Sequence, residues 1–564
     1  MTAVSPSLCC QREEINMDDK LLSGLKKIVE VSTDEDILDE FSHDASLFEV
    51  KPQVVVYPKD EKEVQALVKF VETNKKDHPN LSLTGRSGGT DMSGGSINDS
   101  IIVNFQKYFN AAPIVNGNIA TTEPGVFYRD FEKETLKHGL IFASYPASRE
   151  ICAMGGIVNN NAGGEKSLQY GKTERYVKRV KVVLSDGSTC EFKPLNQSEL
   201  KKKMELKNLE GEIYGKMFAL IDKNYDQIKK AEPQVSKNSA GYFLWNVWDK
   251  EVGIFDLTKL WTGSQGTLGM LLEADIELVP IHKHREMMII FLKDYSHLND
   301  VIDIVLPLKP ESFESYDDNT LKLALKFFPA FAKLLGTKGI VQTAWGFLPE
   351  FFMLVFGGLP KLILQVDFTG DNPDELKQKI EELKKKIKPM NVKTRAAIDD
   401  QERKYWTIRR ESFNLLRNKI KNMHTAPFVD DFVLKPQDAA QVLPQIASII
   451  KKREGFIFTI AGHIGDGNFH IIPLVDIKRQ EVRDAIKPIA DQVYDIILKH
   501  GGSITGEHND GLIRTPYLEK MYGKKIVELF EETKNIFDPQ NIFNPRKKVG
   551  GDLDYAMTHI RTSW

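Results

Sequence analysis

The stretch that decides the fold runs from Leu81 to Phe105 and reads "LSLTGRSGGTDMSGGSINDSIIVNF". Short apolar, β-branched runs flank a loop crowded with glycine, serine and threonine, so the segment reads as strand, glycine-rich loop, strand. Just upstream, "QVVVYPKDEKEVQALVKFVETN" (Gln53 to Asn74) leads a strand into an amphipathic helix, which makes this an α/β beginning. A loop like Thr84 to Gly95 lets the backbone approach a ligand and aims successive N–H groups at it, a cradle suited to phosphate or pyrophosphate. Alone it reads equally well as a tight interstrand connection. It has neither the Walker spacing nor the dinucleotide fingerprint, so a nicotinamide cofactor is not expected.

The pattern recurs. A second unit, "IATTEPGVFYRDFEKETLKHGLIFASYP" (Ile119 to Pro146), is followed by "MGGIVNNNAGGEKSLQYGKTERYVKRVKVVLSDGS" (Met154 to Ser188) and later by "TGSQGTLGM" (Thr262 to Met270). The asparagines in the first of these loops can read heterocycle edges. Three such loops point to a large, phosphate-bearing heterocyclic cofactor.

A chain of 564 residues exceeds what one core usually supports, so two or three domains are expected. With 76 basic and 79 acidic residues the net charge is -3, which gives no reason to expect nucleic acid as a partner and confines anion binding to local sites. The four cysteines, Cys9, Cys10, Cys152 and Cys190, are too scattered for a disulfide framework or a thiolate-bound metal centre. No apolar run of secretory length opens the chain, and none reaches the roughly 18 residues that suggest a spanning helix, so the expectation is cytoplasmic.

The charged stretch at about 197–233 reads as a solvated helical insertion, and after Pro280 alternating strands and helices suggest a separate domain. The Phe-rich segment from Leu321 to Lys361 reads as a membrane-surface or partner contact, or as a core helical pair broken at Gly336 and Pro349. In "AGHIGDGNFHII" (Ala461 to Ile472) a turn of Gly465, Asp466 and Gly467 brings His463 and His470 toward one point. His463, His470, His500 and His508 all fall within one short window. With Glu507 of "GEHNDG", two imidazoles and a carboxylate make a three-ligand site with an open position for a divalent ion. Paired hairpin histidines are also common as hydrogen-bonded core residues.

Together "TGRSGGTDMSGG", "MGGIVNNNAGG", "GSQGTLGMLLEADIEL", "GHIGDGNFH", "GEHNDG" and "FDPQNIFNP" resemble the FAD-linked D-2-hydroxyacid dehydrogenases of the vanillyl-alcohol-oxidase superfamily. That family includes D-lactate dehydrogenases, glycolate oxidase flavin subunits and D-2-hydroxyglutarate dehydrogenases. "NSAGYFLWNVWD" and "FDLTKLWTGSQGTLG" are similar to the branch often fused to an iron–sulfur part, although this chain has no CxxCxxC cluster. The resemblance implies an α+β fold: an N-terminal helical segment over 1–45, a two-lobed FAD-binding domain of the vanillyl-alcohol-oxidase (PCMH) type over 46–280, a ferredoxin-like α+β cap over 281–510, and a C-terminal helical segment over 511–564 returning to the FAD domain.

It also implies residue roles. Thr84, Gly85, Arg86, Ser87, Gly88, Gly89 and Thr90 would cradle the pyrophosphate of FAD. Pro146, Gly155, Gly156, Asn160, Asn161, Ala162 and Gly163 would line the flavin and ribityl chain. Gly263, Ser264, Gly266, Thr267 and Gly269 would complete the pocket, which Asn544 would close. Thr90 stands where covalently flavinylated relatives carry histidine, so FAD would be non-covalent. His463, His470 and Glu507 would bind a divalent metal, zinc being the first choice. His508 would be the catalytic base, with a supporting role beside the metal as the alternative. Arg409 of "YWTIRRESFNLL" would fork onto the substrate carboxylate, and Asn468 would contact substrate; read from spacing, Arg410, one residue on, points elsewhere if this segment is a helix and is then structural.

Members that accept a second carboxylate use a lysine and a threonine near here. This chain has Phe413 and the acidic "VDDF" (Val429 to Phe432), which favours a small monocarboxylate, D-lactate first; Arg514 or Lys404 is the reserve cation for the D-2-hydroxyglutarate alternative, and glycolate is a further one. Electrons would pass from flavin to a non-NAD acceptor: a quinone, a cytochrome, an electron-transfer flavoprotein or an iron–sulfur subunit. A homodimer and a peripheral contact with the inner face of a membrane through about 321–360 complete the expectations. The competing readings are a metal-independent flavin alcohol oxidase and a non-catalytic flavoprotein subunit.

Overall fold

The computed structural model describes residues 17–326, 358–397, 404–410 and 423–563. Its first sheet pairs Glu30–Ser32 antiparallel with Val54–Tyr57, then runs parallel through Ile101–Asn104 to Leu83–Arg86. The crossover helix Glu61–Asn74 is capped by Asp60, whose side chain accepts from the backbone of Glu63 at 3.0 Å. Its Val64, Leu67, Val68 and Val71 fall on one stripe and are buried. The Thr84–Gly95 loop therefore leaves the carboxyl end of a parallel strand, where α/β folds place ligands.

A second, five-stranded antiparallel sheet runs Ile114–Asn116, Ile119–Thr122, Met270–Glu277, Val177–Val183, Thr189–Phe192. The helix Met154–Asn160 carries "MGGIVNN" and ends on Asn161 in the left-handed region, φ 49°.

The stretch at 197–233 is helical, as Gln197–Met204, Leu209–Lys223 and Tyr225–Lys230. Its expected solvation needs correction. Ile213, Tyr214, Met217, Leu220 and Ile221 of the middle helix are buried in the core beneath the five-stranded sheet, so this segment is amphipathic structure rather than a surface excursion.

After Pro280 comes a seven-stranded antiparallel sheet, in the order Lys393–Ala397, His284–Leu292, Leu362–Gly370, Ser312–Asp317, Ile460–His463, Asn468–Ile471, Phe432–Val433. Period-two alternation splits its residues. Met288, Ile290, Leu292, Leu364 and Val366 pack in one large core with helices Leu298–Val305, Pro373–Ile387 and Ala439–Lys451, whereas Met287, Ile289, Phe291 and Ile363 pack in a second cluster with Tyr405, Trp406 and Ile408. Glu314 alternates with Phe313 and so shares the second face, which positions it for the site.

The chain end returns to the first sheet. The backbone N–H of Leu83 donates to Ile542 at 2.7 Å, and that of Asn544 donates to Leu83 at 2.9 Å. Among the described residues no helix is long and apolar enough to cross a membrane. The expected contact through 321–360 lies largely outside the described residues, as do Cys9, Cys10 and Phe413.

The His463–His470 hairpin depends on Gly467, which takes φ 66° after the turn Ile464–Asp466. A Cβ there would run into the backbone carbonyl of Leu434. Gly467→Ala is therefore expected to cost about 2–4 kcal/mol, read by urea denaturation; an unchanged midpoint would show that the turn is not under this constraint.

Candidate active site

A single deep cavity of about 800 Å³ joins the glycine loops to the imidazole hairpin. Its wall carries Gly85, Arg86, Ser87, Gly88, Gly89, Thr90, Pro146, Gly155, Gly156, Asn160, Ala162, Gly163, Gly266 and Gly269 at one end, and Arg409, His463, His470, Glu507 and His508 at the other. The structure therefore brings most of the expected residues onto one surface.

At the first end the backbone N–H groups of Ser87, Gly88, Gly89 and Thr90 donate to no acceptor among the described residues. A row of unused amide donors is a nest for an anion. A Cβ on Gly88 would crowd the backbone of Ile151, and Gly89 takes φ 62°, so the loop needs glycine at both places. The donor row and the cavity fit a pyrophosphate-bearing cofactor.

Several expected cofactor residues stand behind the wall instead. Thr84 donates through Oγ1 to Asn544 Oδ1 at 3.0 Å, and Asn544 Nδ2 donates to the carbonyls of Gly95 at 2.8 Å and Gln265 at 2.6 Å. Asn161 accepts from the backbone of Glu174, Gly263 donates its N–H to Val158, and Thr267 Oγ1 lies 2.6 Å from the Tyr242 hydroxyl. Ser264 is likewise buried off the wall. These residues clamp the loops to one another through hydrogen bonds to backbone and to neighbouring side chains.

At the other end His463 Nδ1 lies 2.7 Å from Glu314 Oε1, and His470 Nδ1 lies 3.0 Å from the carbonyl of Asp430. Those partners fix each Nδ1 as the donor and leave each Nε2 with its lone pair. His463 Nε2 is 3.5 Å from Glu507 Oε1 and His470 Nε2 is 3.9 Å from Glu507 Oε2, separations of the order that ligands about 2 Å from one ion keep. Burial, then the neighbouring His508, pushes His470 down to about 4, so it is neutral. Burial would raise Glu507, but Lys237 and His463 outweigh it and hold the carboxylate well below its usual range. Burial would lower His463, but Glu314 outweighs it and raises this imidazole, so of the two only His470 is held neutral. Nε2 atoms turned to an ionised carboxylate and Nδ1 atoms tied from behind fit a divalent metal.

Sequence reading missed the residues that hold this cluster. Lys237 Nζ contacts Glu507 Oε1 at 2.6 Å and Asp466 Oδ2 at 3.0 Å, fully buried. Asp431 Oδ2 accepts from the backbone N–H groups of Gly506, Glu507 and His508 at 2.7–2.9 Å and from Thr505 Oγ1 at 2.7 Å. No local spacing signals either residue.

Six expectations change. Asn468 is buried off the cavity wall, and its Nδ2 donates to Asp431 Oδ1 at 2.8 Å, so it positions the hairpin. The acidic "VDDF" says nothing about substrate, because Asp430 bonds His508 Nδ1 at 2.6 Å and pairs with Arg514 while Asp431 binds backbone. Arg514 is consequently spoken for and buried behind His508. Arg410 lies on the cavity wall beside Arg409, with its fork on Glu165. His508 is not at its ordinary pKa: burial lowers it, but Asp431 and Asp430 prevail and push it up to about 9. His500 lies outside the cluster, 3.6 Å from Asp438.

A cradle that fits a phosphate-bearing cofactor and an imidazole–carboxylate cluster share one cavity, the layout of a cofactor-binding protein. More particularly, the chain belongs to the FAD-linked oxidases: residues 52–193 match the FAD binding domain and residues 281–548 match the FAD linked oxidases, C-terminal domain. It is similar to a D-2-hydroxyglutarate dehydrogenase of Pseudomonas putida, 25% identical over 92% of this chain and 50% of that protein. A D-lactate dehydrogenase of Anaerostipes hadrus is 25% identical over 91% of this chain and 93% of its own length. The chain spans about half the length of the first of these curated relatives. In fold it is similar to the 4-ethylphenol oxidase from Gulosibacter chungangensis, with a TM-score of 0.68 at 15% identity over 95% of this chain and 98% of that one.

Asp91 also faces the cofactor end. Its Oδ2 accepts from Ser93 N at 3.0 Å, Ser93 Oγ at 2.8 Å and Gly95 N at 2.6 Å, while buried Oδ1 has no partner. Burial, then Asp44, pushes this carboxyl up to about 6. An acid raised in the fold holds an extra proton there, so stability falls as pH rises between about 4 and about 6. Asp91→Asn keeps the acceptor and removes the titration. It is expected to gain on the order of 1 kcal/mol over wild type at pH 7.5 and nothing at pH 4, read from denaturant midpoints. Equal midpoints at both pH values would contradict this.

Proposed function

We propose that this chain oxidises a small D-2-hydroxyacid, D-lactate first, to the 2-oxoacid and passes the electrons to an acceptor other than NAD. The observation that carries the reading is the opening of the amide cradle and the His463, His470, Glu507 cluster onto one cavity. When bound, FAD supplies the acceptor for the hydrogen on the α-carbon, and a divalent ion, zinc as first choice, held by His463, His470 and Glu507 supplies Lewis acidity toward the hydroxyl.

The chain's own groups do the rest. Arg409 offers the substrate carboxylate a cation from the cavity wall, although Glu314 takes its Nη2. Asp430 holds His508 by Nδ1, leaving Nε2 for proton transfer. Against burial, Asp431 and Asp430 hold His508 up at about 9, and in its neutral form this imidazole would take the hydroxyl proton at Nε2. The cradle and Thr90 serve a non-covalent FAD. The acceptor, whether quinone, cytochrome, electron-transfer flavoprotein or iron–sulfur subunit, is reached from the flavin end.

The names of the curated relatives favour a second reading, D-2-hydroxyglutarate as substrate. Anaerobic addition of D-lactate, L-lactate, glycolate and D-2-hydroxyglutarate to the flavin-loaded protein separates the readings. D-lactate is expected to bleach the flavin most rapidly, and complete metal removal is expected to stop it. Failure of every hydroxyacid to bleach would end the assignment, and bleaching without metal would end the metal mechanism. His463→Ala is expected to slow bleaching more than about a hundredfold while FAD stays bound, because the two ends of the cavity come from different segments; a flavin-free variant would contradict that separation.

A further inference from the structure

We propose that Glu165 is a specificity determinant that turns the cavity against substrates carrying a second carboxylate. The inference rests on the hydroxyacid reading above and names what that site rejects.

Arg149, Arg409 and Arg410 line the cavity around Tyr145 and the imidazole cluster, and each is matched to a carboxylate: Glu132, Glu314 and Glu165 in turn. Arg410 spends Nε, at 3.1 Å, and Nη2 on the two oxygens of Glu165. Such a fork-to-fork pair is the geometry an arginine would otherwise give a substrate carboxylate. Glu165 is the fixed partner, being only 8% exposed and taking a further hydrogen bond from the Tyr145 hydroxyl at 3.2 Å, while the Arg410 side chain is 39% exposed. Burial raises the Glu165 carboxyl, but Arg410 outweighs it and holds it at about 2, so it remains an anion. Lys166 and Arg285 nearby both go to Glu311.

A 2-hydroxy monocarboxylate needs one cation, and Arg409 stands on the cavity wall with only Nη2 given to Glu314. The far carboxylate of a 2-hydroxydicarboxylate would meet an anion on the wall and an arginine whose fork is taken. Drawing Arg410 away would strand a buried charge, which makes displacement unfavourable. Like-charge contact of this kind discriminates through repulsion rather than added attraction.

The test compares kcat/KM for D-lactate and D-2-hydroxyglutarate in the flavin-loaded full chain. Glu165→Gln, nearly the same in shape, is expected to raise the ratio of D-2-hydroxyglutarate to D-lactate by about tenfold or more. Adding Arg410→Met is expected to abolish that gain, because the freed guanidinium is what accepts the second carboxylate. A ratio unchanged in Glu165→Gln, a gain that survives in the double variant, or a wild type that prefers the dicarboxylate would each overturn the proposal. Should Glu165→Gln purify without flavin, Tyr145→Phe removes one hydrogen bond to Glu165 and is expected to move the ratio the same way by less; no movement overturns the proposal. A wild type that reduces its flavin with neither acid removes the hydroxyacid reading and this inference with it. A wild type active on D-lactate with unaltered variant ratios removes the inference alone.

Discussion

The carboxylate of Asp431 is the contact on which the imidazole end of the cavity depends. Fully buried, it would be unstable as an anion without donors around it. Five surround it: three consecutive backbone N–H groups from Gly506 to His508, the Thr505 hydroxyl and the Asn468 amide. Burial raises this carboxyl, but His508 and His470 prevail and hold it well below the ordinary range. One side chain just ahead of the strand Phe432–Val433 thereby fixes both the loop that carries Glu507 and the hairpin that carries His463 and His470. Removing it would leave several buried donors unpaired at once, each costing about 1–3 kcal/mol.

Two further buried charges join the two parts of the molecule. Lys237 reaches Glu507 and Asp466, and Lys172 donates to the carbonyls of Asn238 at 2.7 Å and Gly506 at 2.6 Å. On the glycine-loop side Asn160 Nδ2 donates to the carbonyl of Glu507 at 3.0 Å, so a residue of that cavity wall also holds the backbone of the cluster. A hydroxyacid between the two ends would have its α-carbon on the cofactor side and its oxygens on the imidazole side.

How much of this could be read from the chain follows from sequence distance. The glycine cradle lies between two adjacent strands, and His463 and His470 flank one turn, so their local pattern announces them. The alternation of Phe313 with Glu314 hid the latter's role, since nothing in "SFESYD" says which face meets an arginine. Asp431 acts 74 to 77 residues away, Glu314 acts 149 residues away on His463, and Lys237 acts 270 residues away on Glu507. Such partners are chosen by sheet order, and no spacing rule reaches them. The same cause led "VDDF" to be taken as a substrate-facing acid, when tertiary contacts turn both aspartates inward. Helical geometry turns Arg410 away from Arg409, yet it lies on the cavity wall, where Glu165 is its partner.

The central claim is that two imidazoles and one carboxylate, held from behind by Glu314, Asp430 and Lys237, constitute a metal centre beside the flavin. X-ray absorption at the edge of the metal that copurifies with the flavin-loaded protein tests it most directly. The account predicts one ion per chain with a first shell of nitrogen and oxygen and the outer scattering of two imidazole rings. A protein that reduces its flavin with hydroxyacid while holding no metal, or a shell containing sulfur, would contradict it.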